Sequence, residues 1–170
     1  MLIQGAGGGV GVVAVQLARA AGSAVIGTGR AWARELVGEL GAGSFVDVER
    51  ERFEDVVGQV DLVFDLVGGE VLERSWTVLK PGGVLVSVVE DPNDSAPARR
   101  SDARGVFFVV EANRAELVEL ARRIAAGHLR PIVGEVLPLA RGRDAFQRKH
   151  GHGIPGKTVL QVDDTYDDSR

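Results

Sequence analysis

A run of glycines near the start of the chain is the stretch whose residue types point most directly to chemistry. It reads Gln4-Gly5-Ala6-Gly7-Gly8-Gly9-Val10-Gly11 and joins the apolar residues 1–3 to a helical pattern. Glycines at a strand-to-helix turn let a diphosphate approach the backbone, and the first N–H groups of the helix attract the anion. Aligned on Gly11, the pattern is Ala6-x-Gly8-x-x-Gly11, with alanine where the usual dinucleotide fingerprint begins with glycine. A plain tight turn therefore remains an alternative to a phosphate-binding turn.

The residues after the second predicted strand bear on which nucleotide such a turn would hold. An acidic side chain about 20 positions beyond the glycines would bind the adenosine ribose hydroxyls of NAD. Thr28 and Arg30 stand there instead, with Arg34 nearby, and a hydroxyl with guanidinium groups suits the 2′-phosphate of NADP. We therefore predict NADP(H) as the cofactor. The alternative is that both arginines are solvated residues at the start of a helix.

Histidines and cysteines give no metal site in the sequence. Cysteine is absent, which removes disulfides, thiol nucleophiles and thiolate zinc ligands together. His150 and His152 fall in a loop rich in glycine and proline, and with His128 they lack a nearby carboxylate that would complete a ligand set. We predict that these are loop histidines and that the chain holds no metal.

Aspartates and serines do not combine into a catalytic set either. Asp61 and Asp65 share one predicted strand, where an aspartate is more often a turn anchor than an acid or base. Ser75 and Ser87 have no histidine base in their sequence context, so nucleophilic catalysis is unsupported. The catalytic residues are therefore unknown at this point.

The elements that must position these residues alternate between strand and helix. The apolar runs are continuous and rich in β-branched residues, which is typical of parallel strands covered on both faces. We predict an α/β fold with a doubly wound parallel sheet of about six strands, at residues 1–3, 24–28, 44–48, 60–67, 84–89 and 105–110. Ligands of such sheets bind at the carboxyl ends of the strands, which adds Val67 and Gly68, after the fourth strand, to the predicted site.

The last third of the chain departs from this alternation. A polar stretch at 90–104 predicts a surface loop, either a plain connection or a flap over a ligand. Asn113 and Glu116 form a capping pair for a helix through Gly127. This helix is predicted to bury four apolar side chains, Leu117, Leu120, Ala121 and Ile124. A short strand-helix-strand segment then follows over residues 131–162.

Length and charge limit the domain count and the partners. The 170 residues predict one domain, and residues 163–170, which carry four aspartates and no apolar run, predict a disordered tail. A net charge of −4 gives no general attraction to nucleic acid or to an anionic membrane surface. No apolar stretch is long enough to span a membrane and no signal peptide is evident, so we predict a cytoplasmic protein without nucleic-acid or membrane partners.

Several of these segments, taken in order, resemble the medium-chain dehydrogenase/reductase superfamily, and its zinc-free quinone-oxidoreductase branch most closely. The segments are Leu2–Gly11, Val15-Gln16-Leu17-Ala18, Glu39-Leu40-Gly41-Ala42, Val63–Gly69, Leu79–Gly83, Gly105–Glu111, Gly127–Pro131 and Gly156–Leu160. The resemblance implies an NADPH-dependent reductase that passes hydride to a quinone or to the conjugated double bond or carbonyl of an enone. The predicted cofactor-binding residues are Ala6, Gly8, Gly9, Val10, Gly11, Thr28, Arg30, Val67, Gly68 and Phe107. For Phe107, the residue type alone favours a core or interface position.

The resemblance also implies features in which this chain departs from the family. Family members carry a GroES-like barrel domain before this region that forms the substrate pocket, and we expect that domain to be absent here. The resemblance divides the chain into a dinucleotide-binding domain over 1–130 and a C-terminal segment over 131–162. In the family this segment returns to the barrel domain, so we expect it to lack its usual partner. A tyrosine near the adenosine phosphate is common in this branch, whereas Val48 follows Asp47 in this chain. Residues 105–110 resemble the edge through which two family domains pair, so we predict a homodimer; a bare apolar edge would otherwise favour aggregation.

Two functions remain open from the sequence. The first is the cofactor domain of an oxidoreductase whose acceptor pocket lies in other sequence, so that catalysis comes from positioning the nicotinamide. A version of this hypothesis has the chain working beside a separate barrel-domain protein. The second is a non-catalytic module that senses NADPH or serves dimerisation.

Overall fold

A computed structural model describes residues 1–94, 102–148 and 153–162. The centre of the predicted loop, both histidines of the 150–152 stretch and the predicted tail at 163–170 lie outside these residues. The predicted domain boundaries stay a prediction.

Six parallel strands form the main sheet, as the continuous apolar runs predicted. In chain order they are β1 (Leu2–Gln4), β2 (Ile26–Gly29), β3 (Ser44–Asp47), β4 (Val60–Asp65), β5 (Leu79–Ser87) and β6 (Arg104–Phe107). Their order across the sheet is β3-β2-β1-β4-β5-β6. The chain thus winds outward in one direction from β1 to β3, then returns to the centre and winds the other way from β4 to β6.

Helices cover both faces of this sheet. The helices that contribute to the buried core clusters are α1 (Gly11–Ala20), α2 (Arg34–Glu39), α3 (Phe53–Val56) and α4 (Gly69–Ser75). Another helix, α5 (Arg114–Ala125), follows β6 in the chain. Adjacent residues of β1 show the division, because Leu2 belongs to a core cluster with Phe53 and Trp76 while Ile3 belongs to a separate cluster with Val12 and Val37. Both β1 side chains are fully buried. The doubly wound prediction is therefore confirmed.

The predicted strand-helix-strand segment also forms, as a small separate sheet. β7 (Val133–Pro138) pairs in parallel with β8 (Lys157–Gln161), and α6 (Gly142–Arg148) lies between them in sequence. Gln16 of α1 anchors the lead-in to this segment: its side chain donates to the Arg130 carbonyl at 3.0 Å and accepts from the Arg130 N–H at 2.8 Å.

The prediction that α5 buries its apolar face is wrong for the described chain. No residue of this helix is buried, and Leu117 is 62% exposed. The Asn113 cap is present, with its side-chain oxygen accepting from the N–H groups of Ala115 and Glu116. The periodicity identified the apolar face correctly, but periodicity does not show what covers such a face.

The sixth strand is shorter than predicted. β6 ends at Phe107, although the Phe108 N–H still donates to the Ser87 carbonyl at 2.9 Å. It forms one edge of the sheet, and Phe107 to Val110 are all more than a third exposed.

Among the described residues, no helix has the length and apolar character needed to cross a bilayer.

Candidate cofactor site

The order of the strands reverses between β1 and β4, and a crevice of about 810 Å³ opens at the carboxyl ends of the strands there. Doubly wound sheets bind ligands at this point, and the volume lies in the usual range for ligand sites. Another groove, of about 610 Å³, lies at the opposite end of the strands near Met1 and Asp61. The crevice is the candidate site because the glycine turn forms its floor.

The glycine turn is shaped by backbone that a side chain would obstruct. Gly5 has φ +74°, and its carbonyl accepts from the Gly8 N–H at 3.0 Å. A Cβ on Gly11 would lie 2.3 Å from the Gly5 carbonyl oxygen, so only glycine lets α1 start this close to β1. Gly11 is thus the glycine that permits helix–strand packing in the fingerprint.

Ala6 replaces the first glycine of the fingerprint at no steric cost. Its side chain is fully buried, and its N–H donates to the Thr28 carbonyl at 2.9 Å. The methyl group fits because its neighbour on β2 is Gly27, where an added Cβ would come within 2.9 Å of the Ala6 Cβ. The departure from the fingerprint is therefore compensated on the adjacent strand.

The start of α1 presents backbone donors to the crevice. Gly8, Gly9 and Val10 line it, and Val10 is 51% exposed. In the part of the chain that the structure describes, the N–H groups of Gly9, Val10 and Gly11 have no hydrogen-bond acceptor. Free donors at the positive end of a helix dipole suit a diphosphate.

A buried chain of hydrogen bonds holds the end of β1 in place. The Thr28 hydroxyl donates to Gln4 Oε1 at 2.6 Å, and Gln4 Nε2 donates to Ser75 Oγ at 3.0 Å. All three side chains are essentially inaccessible to solvent. The Thr28 hydroxyl hydrogen, predicted to bind a 2′-phosphate, is therefore used internally; its oxygen accepts from the Gly5 N–H at 3.4 Å, at the turn.

The end of β4 is organised by Asp65, which is a turn anchor as the sequence indicated. Its buried carboxylate accepts from the N–H groups of Val67 and Gly68, each at 3.2 Å, and from the Ser87 hydroxyl at 2.9 Å. Gly68 has φ +78° and is buried next to the crevice, whereas Val67 lines it and is 48% exposed.

The two arginines predicted near the adenosine ribose have different surroundings. Arg30 lines the crevice, and its Nε lies 3.3 Å from Glu49 Oε1. Arg34 lies outside the lining; its guanidinium lies 5.1 Å from the Phe45 ring centre and donates to the Phe45 carbonyl. Arg30 is therefore the arginine placed to meet a ligand. Phe107 lies at the carboxyl end of β6. This is the side of the sheet on which the crevice opens, but β6 is two strands away from β4.

Two residues of the lining carry no role in the sequence analysis. Lys157 crosses over the turn, because a Cβ on Gly9 would lie 2.7 Å from Lys157 Nζ. Trp32 contacts both Gly7 and Gly153, and the Gly156 N–H donates to the Gly7 carbonyl at 3.3 Å. The C-terminal segment thus covers the glycine turn. Lys157 and Gly9 are 148 residues apart in sequence, and no pattern in the sequence indicated this contact.

The described residues do not assemble a metal site. No group of three histidine, cysteine, aspartate or glutamate side chains comes together among them. His128 follows α5, and its backbone N–H donates to the Arg123 carbonyl at 2.9 Å. The donor set of the described residues therefore does not fit a zinc ion.

Comparison with known proteins adds the family. Residues 40–160 match the family model described as "Zinc-binding dehydrogenase". The chain belongs to this family. The relatives place the chain in the quinone-oxidoreductase-like branch of the medium-chain dehydrogenase/reductase superfamily. The family label contrasts with the absence of a zinc ligand set among the described residues.

Individual relatives show how much of a family member this chain covers. A "Probable zinc-binding oxidoreductase, mitochondrial" of Arthroderma benhamiae is 31% identical in a match that covers 94% of this chain and 51% of the relative. An "NADPH-dependent alkenal/one oxidoreductase, chloroplastic" of Arabidopsis thaliana is 30% identical in a match that covers 94% of this chain and 40% of that relative. The solved quinone oxidoreductase from Coxiella burnetii has a TM-score of 0.88 at 29% identity, covering 95% of this chain and 52% of that one. The chain spans about half the length of the relatives it matches.

Proposed function

We propose that this chain is the NADP(H)-binding half of an oxidoreductase that transfers hydride from NADPH to a quinone or enone. The observation that carries the proposal is the crevice at the switch point, with free N–H groups of the glycine turn on its floor and Lys157 above them. The names of the relatives support the substrate class, since one is an alkenal/one oxidoreductase and another a quinone oxidoreductase.

Each part of the nucleotide would meet a group of this chain. The diphosphate would accept hydrogen bonds from the start of α1 and from Lys157, while Arg30 would meet the 2′-phosphate. Val67 and Gly68 would border the nucleotide beside the turn, and Phe107 would meet it only towards the nicotinamide end. NADPH supplies the hydride when it is bound, and this chain contributes binding, orientation and shielding from water.

We also propose that two copies pair through residues 105–110 and that the protein works in the cytoplasm without a metal. Support for the pairing is the position of β6 at the edge of the sheet, with exposed apolar residues continuing beyond it. Hydride acceptors would enter a pocket completed by the half of the family protein that this chain does not span.

The cofactor proposal is tested by calorimetric titration with NADPH and NADH. Lys157→Met should weaken the binding of both nucleotides about tenfold, because a charge-assisted contact to the diphosphate is lost. Arg30→Gln should weaken NADPH about tenfold and NADH less than twofold. Lys80→Met is the matched control, since Lys80 pairs with Asp61 at 2.8 Å, far from the crevice.

Absence of NADPH binding to the wild-type chain at millimolar concentration would refute the proposal. Equal losses of NADPH and NADH in Arg30→Gln would refute the assignment of Arg30 to the 2′-phosphate while leaving the diphosphate site intact.

A further inference from the structure

The crevice-lining cation proposed to meet the ribose phosphate, Arg30, already faces a carboxylate. Arg30 Nε and Glu49 Oε1 lie 3.3 Å apart, with more than half of each side chain exposed. An exposed pair of this kind contributes little to folding. Its importance lies in its place, because Arg30 is the group proposed to meet the 2′-phosphate.

The fold holds Glu49 next to Arg30 through a defined turn. The Val48 N–H donates to the Gly29 carbonyl at 3.0 Å, which ties the end of β3 to the residue before Arg30. The buried carboxylate of Asp47 then accepts from the Glu49 N–H at 3.1 Å. The backbone of Glu49 is therefore fixed, and its side chain is directed to this end of the crevice.

Other charges at this end do not offset the carboxylate. Arg74 also lines the crevice, but it pairs with Glu54 at 3.1 Å and lies over the Phe53 ring. Arg50 lies 3.7 Å from Asp47. The guanidinium groups of Arg30, Arg74 and Arg50 thus each have a carboxylate beside them. Arg34 donates to the Phe45 carbonyl and lies outside the lining. A phosphate at Arg30 would therefore meet Glu49 as well.

We propose that Glu49 is a specificity-determining residue that lowers the preference of this chain for NADPH over NADH. This inference rests on the proposed function. A 2′-phosphate carries between one and two negative charges near neutral pH, so Glu49 repels it and competes for Arg30. A ribose that carries only hydroxyls does not meet this repulsion. Folds that bind NAD carry an acidic residue about 20 positions beyond the glycine turn, after the second strand. Glu49 lies beside Arg30 at that position in space, although in sequence it follows β3.

The test uses two probes that contain only the adenosine half of the cofactor, adenosine 2′,5′-bisphosphate and 5′-AMP. Their affinities are measured by calorimetry for wild type, Glu49→Gln and Glu51→Gln. Glu51 carries the same charge two positions further on, but in the described structure the carboxylate beside Arg30 is that of Glu49, so the Glu51 variant is the matched control. Thermal unfolding of each variant checks that the fold is retained.

Glu49→Gln should raise the affinity for adenosine 2′,5′-bisphosphate, relative to the affinity for 5′-AMP, about threefold to tenfold at low salt. The gain should shrink at high salt because the charges are exposed. A ratio within twofold of wild type, or an equal rise in Glu51→Gln, would overturn the inference while leaving the nucleotide site standing. Failure of both probes and of NADPH to bind the wild-type chain would overturn the site itself, and the inference with it.

Discussion

At the scale of single residues, the shape of the crevice depends on glycines, because a side chain at these positions would clash with neighbouring atoms. Gly11 lets α1 start against β1, and Gly27 on the next strand leaves space for the Ala6 methyl group. The glycine pattern showed where close approach was needed, but the compensation between Ala6 and Gly27 lies across two strands. It could not be deduced from spacing along the chain.

We expect Gly11→Ala to destabilise the protein by about 1–3 kcal/mol, because the new Cβ would lie 2.3 Å from the Gly5 carbonyl oxygen. The measurement is urea unfolding followed by circular dichroism. Gly38→Ala is the control: this glycine is in α2 with no atom within 4 Å of an added Cβ, and the change should stabilise by about 0.4–1 kcal/mol. A loss in both variants would contradict the steric explanation.

Asp65 shows how one buried carboxylate organises a turn. We expect Asp65→Asn to cost about 1–3 kcal/mol, since an amide cannot accept from Val67, Gly68 and Ser87 together. Asp61→Asn on the same strand should leave stability unchanged, because Asp61 is exposed and its ion pair is with exposed Lys80. Thermal denaturation of the two variants compares them, and equal losses would show that Asp65 has no special role.

At the scale of elements, α5 is the clearest difference between the sequence prediction and the structure. Its cap and its length were predictable because both depend on neighbouring residues. Its burial was not, because an amphipathic pattern identifies a face and leaves the partner of that face undetermined. The exposed apolar side chains of α5 mark a surface that nothing in the described chain covers.

The charged face of α5 predicts a specific dependence on pH. Hydrogen bonds from Arg122 and then Arg123 lower the pKa of Glu119 to about 2. A carboxylate with a lowered pKa stabilises the folded state above its unfolded value of 4.5, and this contribution is lost as the pH falls towards 2. We expect NMR titration to place the Glu119 carboxyl well below the other exposed glutamates. Between pH 4.5 and 2, the free energy of unfolding of Glu119→Gln should fall less steeply with decreasing pH than that of the wild type. A Glu119 carboxyl that titrates near 4.5 would contradict the prediction.

At the scale of the whole molecule, β6 is the outermost strand of the six-stranded sheet, and no other described strand pairs with its outer side. Beyond β6, Phe108 is 53% exposed and Val110 is 81% exposed, which is unusual for an isolated sheet edge. The edge position followed from the family resemblance, and the structure confirms that β6 is outermost. Pairing of two copies there stays a prediction.

We expect Phe108→Lys to convert a dimer into a monomer in sedimentation velocity, since a charge would be placed in the paired edge. Val56→Lys is the control, because Val56 is similarly exposed at 56% but lies on α3, away from this edge. A dimer that persists in Phe108→Lys, or a wild-type chain that sediments as a monomer, would refute pairing through residues 105–110.

The sequence by itself determined the order of strands and helices, the parallel sheet and the glycine turn. These features depend on local periodicity and on backbone conformations that few residues adopt. Tertiary structure decided which side chains face the crevice. It turned the Thr28 hydroxyl inward to Gln4, brought Lys157 over Gly9, and placed Glu49 against Arg30. Such contacts join residues far apart in the chain, and only the packing of β1, β2, β3 and the C-terminal segment against one another brings them together.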